Sequence, residues 1–126
     1  MAEPEETVLA EVTVTTIGLT RTYYRLFFTS SRLVVIHLGL GLALDSVRGK
    51  LAGMTLDQMV ATDSKNFAWP YSYLQKVTLH TSIWKKALEV KSERGEYEFN
   101  VYVTELGQLK SLLPTIPGLV GKLEMA

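Results

Sequence analysis

Cysteine is absent from this chain of 126 residues, which excludes disulfide bonds and thiolate-bound metal. Histidine is nearly absent as well, because His37 and His80 are the two imidazoles in the sequence, too few to build a zinc site. Charge of one sign is not in excess either: 13 Lys and Arg balance 13 Asp and Glu. Since nucleic-acid-binding domains usually carry a basic excess, we expect no nucleic-acid partner.

A long apolar run is also missing. The most apolar stretch covers residues 33–44, includes His37 and ends at Asp45, whereas a membrane-spanning helix needs roughly 20 apolar residues. The first six residues are mostly acidic, although the start of a secretory signal peptide is basic. These two absences predict a cytoplasmic protein, and peripheral contact with a membrane surface stays open as an alternative.

The residues that are present favour a β-rich domain. Hydrophobic residues make up 47% of the chain and charged residues 21%, which is the composition of a folded domain rather than of a disordered segment. Apolar and polar residues alternate with a period of two in several short segments, as half-buried strands require. The predicted strands begin at about Val8, Tyr23 and Arg32, return after Asn66, and include a hairpin around the turn Glu93–Gly95.

Two segments have the spacing of a helix instead. Between the third and fourth predicted strands, apolar residues recur at steps of three and four, and Thr55 with Gln58 has the pattern of a capping box. We therefore predict a helical insert at about 41–63. After the last strand, a stripe of leucines predicts a C-terminal helix that begins at Thr104 and is stopped by Pro114.

Two segments of the sequence resemble a known family. Residues 25–36 read Arg-Leu-Phe-Phe-Thr-Ser-Ser-Arg-Leu-Val-Val-Ile, a strand that ends at Thr, turns through polar residues and resumes at Arg-Leu. Residues 67–77 read Phe-Ala-Trp-Pro-Tyr-Ser-Tyr-Leu-Gln-Lys-Val, in which Pro-Tyr-Ser leads through an apolar residue into the next strand. Both segments resemble bacterial and archaeal pleckstrin-homology-like (GRAM-like) domains, and the resemblance covers roughly residues 8–114.

The resemblance and the order of elements together predict an α+β fold that is mainly β. We expect a pleckstrin-homology-like, partly open antiparallel barrel of about seven strands, with a C-terminal capping helix and the helical insert between two strands. This domain would occupy residues 8–114, between a flexible lead at 1–7 and a tail at 115–126. Twelve residues are predicted to be largely buried: Leu26, Phe28, Leu33, Val35, Val77, Leu79, Leu88, Val90, Phe99, Val101, Leu109 and Leu113.

Two groups of residues are candidates for ligand binding. In lipid-binding members of the resembled family, the loop after the first strand carries clustered cations, and Arg21 and Arg25 fall near that position. The alternative for this pair is two solvated arginines at the end of the barrel. The second group, Trp84, Lys85 and Lys86, should form a hairpin tip, where an aromatic ring beside two cations suits a membrane interface or an acidic partner. The alternative is that Trp84 folds back onto the barrel.

The insert carries an apolar stripe that should be buried rather than left in water. Its members are Leu44, Val47, Leu51, Met54, Leu56, Met59 and Val60. We expect the stripe to pack mainly on its own barrel and to leave a residual apolar patch that supports weak dimerisation. The interface residues would be Val47, Leu51, Met54 and Met59.

No catalytic pattern accompanies these candidates. No serine or threonine lies in a nucleophile elbow, and no glycine-rich phosphate loop opens a helix. We therefore expect neither enzymatic activity nor a cofactor. The predicted function is a non-catalytic binding module for a protein segment or an anionic membrane surface, with an exposed strand edge that accepts an extended peptide. The alternative is a self-associating structural domain that uses the insert at 41–63 as its interface.

Overall fold

The computed structural model describes residues 6–17, 21–39, 49 and 51–126. Within these ranges the chain forms eight β-strands, which are β1 (Val8–Ile17), β2 (Arg21–Thr29), β3 (Arg32–Gly39), β4 (Phe67–Pro70), β5 (Leu74–Thr81), β6 (Lys86–Ser92), β7 (Gly95–Asn100) and β8 (Leu123–Met125). The described α-helices are α1 (Leu56–Ala61) and α2 (Val103–Leu112). Single 3-10 turns occupy Tyr71–Tyr73, Leu113–Thr115 and Pro117–Leu119.

The strands form one sheet with the order β4-β3-β2-β1-β7-β6-β5-β8. All described neighbours are antiparallel except β8, which runs parallel to β5. Three strands separate β4 from β7, so a flat sheet would hold them roughly 19 Å apart. Instead, the rings of Phe67 in β4 and Tyr97 in β7 stack with centroids 5.1 Å apart. The sheet therefore folds over on itself and encloses a core between its two halves.

The main core lies inside this folded sheet and confirms the predicted burial. All twelve residues expected to be buried are at most 6% exposed, with Val101 the most exposed of them. The aromatic residues Trp69 and Tyr71 and the C-terminal residues Ile116 and Leu119 complete the same cluster. Helix α2 contributes Leu109, so the predicted closing helix does pack on the sheet. It begins at Val103, one residue earlier than predicted, and no side chain caps it.

A second apolar cluster lies on the opposite face of β2 and β3. Its buried members are Phe27, Val34, Ile36, Leu38 and Leu51. The partly buried members Met54, Leu56, Met59 and Val60 come from the insert and cover this face. Among the described residues, the insert therefore packs on its own sheet, as predicted, while Leu44 and Val47 lie outside the described residues.

Helix α1 forms where the capping box was predicted. The Thr55 side chain accepts a hydrogen bond from the Gln58 backbone N–H at 3.2 Å, and the Gln58 side chain accepts one from the Thr55 N–H at 2.9 Å. This reciprocal pair satisfies two backbone donors at the start of a helix of six residues. Residues 41–48 and 50 of the predicted insert lie outside the described residues.

The predicted tail at 115–126 is instead part of the folded unit. Ile116 and Leu119 are 0% and 1% exposed, and both belong to the main core. Gly118 packs directly against the ring of Tyr71, and β8 then adds to the edge of β5. The prediction was wrong because 3-10 turns and a strand of three residues are too short to produce a readable periodicity. The same strand raises the strand count from about seven to eight.

The predicted flexible lead is also held at its described end. The Glu6 carboxylate accepts hydrogen bonds from Arg32 Nε and Nη2 at 2.8 and 3.0 Å and from Ser31 Oγ at 2.6 Å. The Thr7 N–H donates to Ser30 Oγ at 3.1 Å. Residues 1–5 lie outside the described residues.

Candidate functional site

One end of the sheet brings together three chain segments that carry exposed side chains. Arg21 opens β2 opposite Ile17, and the pairs Thr15–Asn100 and Ala87–Asn100 place the end of β7 and the start of β6 beside it. We refer to this end as the rim. It consists of Arg21, Tyr23, Ile83, Trp84, Lys85, Lys86, Tyr102 and Val103.

The most exposed part of the rim is the turn between β5 and β6. Ile83 is 80% exposed and Trp84 is 91% exposed, and we call this pair the Ile83–Trp84 tip. The alternative that Trp84 folds back onto the sheet is therefore wrong. The turn beneath the tip is ordered by side-chain hydrogen bonds, since Lys85 N–H donates to Ser82 Oγ at 2.9 Å and Lys86 Nζ donates to the Ile83 carbonyl at 3.3 Å. Two large apolar side chains are thus presented to solvent by a fixed turn.

Lys85 does not add a free positive charge to this tip. Its Nζ lies 3.1 Å from Glu89 Oε1 and 3.2 Å from Glu98 Oε1, and these two carboxylates face each other across β6 and β7. Hydrogen bonds to Glu89 and then to Glu98 raise the pKa of Lys85. His80 Nε2 also lies 2.8 Å from Glu89 Oε1, and hydrogen bonds from Lys85 and then His80 lower the pKa of Glu89. The charge of Lys85 is therefore balanced within the molecule, whereas Lys86 contacts the Ile83 carbonyl.

The two arginines predicted as a group occupy different places. Arg25 is held on the outer face of β1 and β2, where Nε donates to Glu11 Oε1 at 2.8 Å and Nη1 donates to Thr13 Oγ1 at 2.7 Å. Arg21 is exposed and contacts Tyr23 and Tyr102, whose hydrogen bonds raise its pKa. The structure does not bring the two guanidinium groups into one anion site, so Arg25 is an internally paired arginine rather than a solvated one.

Tyrosines connect Arg21 to the rest of the rim. The hydroxyl of Tyr102 donates to the hydroxyl of Tyr23 across 3.5 Å, and Tyr102 is 40% exposed at the start of α2. Hydrogen bonds from Tyr102 and then from Arg21 lower the pKa of Tyr23. From Arg21 to Lys86 the sheet spans three strand spacings, roughly 14 Å. Arg21, Lys85 and Lys86 therefore lie along one rim but do not converge on a common point.

The insert presents less free surface than its stripe suggested. Leu51 is 9% exposed, and Met54 and Met59 are half-buried in the second apolar cluster. Val47, the fourth predicted interface residue, lies outside the described residues. Beside the insert, a cleft of about 280 Å³ has an apolar wall and the Arg25–Glu11 pair at its edge. Its described lining residues are Glu11, Arg25, Phe27, Leu38, Leu51, Ala52 and Met59.

Four rim residues were not predicted as site residues, namely Tyr23, Ile83, Tyr102 and Val103. Ile83 lies beside the predicted tip residues, and its apolar type within a polar turn was a usable signal. Tyr102 and Val103, which are 40% and 69% exposed, occupy the junction between β7 and α2. Their place on the rim depends on strand order, which local periodicity does not encode.

No cluster of His, Cys, Asp and Glu in the described ranges could hold a metal ion. No helix in the described part of the chain is both long enough and apolar enough to cross a membrane.

Comparisons with known proteins show similarity in fold alone. No protein-family model matches the chain, and no curated protein matches it. Among solved structures, the chain is similar to the C-terminal domain of an unknown protein from Leishmania infantum, with a TM-score of 0.53 and 16% sequence identity. The match covers 87% of this chain and 83% of that domain. At this identity the likeness concerns the fold and carries no function.

Proposed function

We propose that this chain is a non-catalytic binding module with a pleckstrin-homology-like fold, and that it docks to a partner protein through the Ile83–Trp84 tip. The observation that carries the proposal is the near-complete exposure of both side chains on an ordered turn. The fold assignment is supported by the antiparallel run of seven strands, followed in the chain by α2, which packs on the enclosed core.

A tryptophan on a fixed turn is well suited to anchor a protein interface. Residues that dominate binding energy are enriched in Trp, and they act by filling a pocket from which water is excluded. Each large apolar side chain gains about 1.5–3 kcal/mol when it leaves water. Because the hydrogen bonds from Lys85 to Ser82 and from Lys86 to Ile83 already order the turn, little backbone conformational entropy is lost when the tip enters a pocket.

A partner protein suits the tip better than an anionic membrane does. Attraction to anionic lipid depends on unpaired cations near the surface. Lys85 is engaged by two carboxylates, and the chain as a whole has a formal net charge of zero. An apolar pocket on a protein requires no such cations. Self-association through the insert has less support, because Leu51 is already buried on its own sheet.

The proposal is tested by placing a photo-crosslinking residue at the exposed rim position 103 in cells, which leaves Trp84 in place, identifying the crosslinked protein, and measuring binding with the purified pair. We expect Trp84→Ala to weaken this binding by at least about 30-fold, as for other tryptophan anchors. Val120→Ala is the matched control, because Val120 is 77% exposed but lies before β8, at the opposite end of β5. Equal affinities of the Trp84→Ala variant and the parent would overturn the proposal.

A second arm tests the membrane alternative. The chain has two tryptophans, so Trp69→Phe leaves Trp84 as the single fluorescent reporter. We expect the emission of Trp84 to stay at the wavelength of a water-exposed indole when neutral or anionic vesicles are added. A blue shift with vesicles, removed by Ile83→Ala, would instead assign the tip to a lipid surface.

A further inference from the structure

The edge of β5 is covered by a short segment of the same chain. Leu123, Glu124 and Met125 of β8 lie opposite Val77, Thr78 and Leu79 in a parallel pair. The Val77 N–H donates to the Lys122 carbonyl at 2.9 Å, and the Ala126 N–H donates to the Leu79 carbonyl at 2.9 Å. The Thr81 N–H donates to the Ala126 carbonyl at 3.0 Å. The strand edge that the sequence predicted to be exposed is therefore filled here by residues 122–126.

The side chains of β8 show which residue types this edge accepts. Leu123 is half-buried and packs against the main core. Glu124 forms an ion pair with Lys76 of β5, and this contact lowers the pKa of Glu124. Met125 is 40% exposed. The edge thus receives an apolar residue beside the main core, an acid that pairs with Lys76, and a second apolar residue that is partly exposed.

The fold does not depend on β8 for its core. The segment before it is anchored independently, because Ile116 and Leu119 are buried and Gly118 packs under the Tyr71 ring. Gly121 connects this segment to β8. Its φ of +79° lies in the left-handed region, which other residues rarely adopt. The strand itself is three residues long, with Glu124 and Met125 exposed. It is held by a few backbone hydrogen bonds, each contributing about 1 kcal/mol net, together with the Glu124–Lys76 ion pair and the packing of Leu123.

We propose that β8 is a displaceable occupant of a strand-accepting edge, and that this edge binds an extended protein segment with an apolar–acidic–apolar pattern. The incoming strand runs parallel to β5, its acid pairs with Lys76, and its backbone replaces the bonds of residues 122–126. A segment longer than β8 displaces it because it pairs with more of β5, which extends over Leu74–Thr81. This inference rests on β5 and β8 and is independent of the Ile83–Trp84 tip.

Two full-length variants test the proposal. In the released variant, Glu124→Lys repels Lys76, and Ala126→Pro removes the N–H that donates to Leu79. In the locked variant, Thr78→Cys and Glu124→Cys are joined by a disulfide across paired positions. Because the chain contains no other cysteine, oxidation and reduction switch this lock cleanly. The probe is the hexapeptide Gly-Lys-Leu-Glu-Met-Ala, which reproduces residues 121–126.

Binding is followed by the amide NMR signals of Val77 and Thr81, which donate to the carbonyls of Lys122 and Ala126. We expect the probe to shift both signals in the released variant and neither in the oxidised locked variant. A probe with Lys in place of Glu should bind at least about tenfold more weakly.

Three outcomes would overturn the proposal. The first is that both amides stay protected from exchange in the released variant without probe, which would show that β8 is a fixed strand. The second is that the released variant is folded but its Val77 and Thr81 amide signals do not shift with the probe at millimolar concentration. The third is that the oxidised locked variant binds the probe as well as the released variant does, which would place the binding elsewhere.

Discussion

At the scale of single residues, the ion pair between Glu6 and Arg32 connects three parts of the chain. Glu6 binds the guanidinium of Arg32 and the hydroxyl of Ser31 in the β2–β3 turn. Arg32 Nη2 also lies 2.9 Å from Asp57 Oδ1 in α1. Arg32 therefore links the β2–β3 turn both to the residues that precede β1 and to the insert. The hydrogen bonds from Arg32 are the largest cause of a Glu6 pKa that falls from 4.5 to about 2.

This pKa predicts how stability depends on pH. The carboxyl is more acidic in the folded chain, so its contribution is fully present above pH 4.5 and is lost as the pH falls from 4.5 towards 2. Since the Glu6–Arg32 pair is partly solvated, we expect Glu6→Gln to cost only about 1 kcal/mol at pH 7. The difference between variant and parent should vanish near pH 2 in thermal unfolding. A constant difference across this range would show that Glu6 acts by packing rather than by charge.

Gly118 is a second single residue on which packing depends, because it lies directly against the ring of Tyr71. A Cβ at this position would lie 2.1 Å from Cδ2 of Tyr71. The ring cannot retreat easily, because Tyr71 is 5% exposed and its hydroxyl donates to the Thr29 carbonyl at 2.6 Å. We expect Gly118→Ala to lower the free energy of unfolding by about 1–3 kcal/mol.

Gly107→Ala is the control for this prediction, measured by the same denaturant titration. Gly107 lies in α2, and a Cβ there would meet nothing within 4 Å. Alanine should therefore stabilise the helix by up to about 1 kcal/mol. Equal effects of the two substitutions would contradict the packing of residues 117–119 on Tyr71.

At the scale of elements, the insert acts as a cover for one face of the sheet. Leu51 is the described insert residue that is most deeply buried, and it packs with Phe27, Val34 and Ile36. We expect Leu51→Ala to cost about 2–3 kcal/mol, since the substitution leaves a cavity in the second cluster. Val120→Ala, at an exposed valine, should change the free energy of unfolding by less than about 0.5 kcal/mol. If both variants unfold alike, the insert is not a structural cover.

The elements that could be predicted are those defined by local spacing. The capping box of α1 joins residues three apart in the sequence. The buried strands are predicted by the alternation of apolar and polar residues. By contrast, β8 exists because Leu123 pairs with Val77, a partner far away in the chain. The tip at Trp84 was predicted from its position between two strands. The ion pair between Lys85 and Glu98 was not predicted, because this contact depends on the register between β6 and β7.

At the scale of the whole molecule, the balance of charge sets how the chain meets a membrane. The formal net charge is zero, and the exposed ion pairs of the described residues set Lys85 against Glu89 and Lys76 against Glu124. Charges in such pairs are screened from distant partners within about 8–10 Å at physiological salt. Among the described residues, these pairs leave Lys76 and Lys85 little net charge with which to hold the protein on anionic lipid.

The resulting prediction is weak or absent sedimentation with anionic vesicles at physiological ionic strength. Lowering the salt should increase binding only slightly, because Lys85 stays paired with Glu89 and Glu98 in the free protein. A Glu89→Gln and Glu98→Gln double variant frees this lysine, so it should bind the same vesicles more tightly and with a steeper dependence on salt. Neutral vesicles are the control for apolar insertion of the tip. Tight binding of the parent chain to anionic vesicles, abolished by substitution of Arg21 or of Lys85 and Lys86, would contradict this prediction and favour lipid as the ligand of the rim.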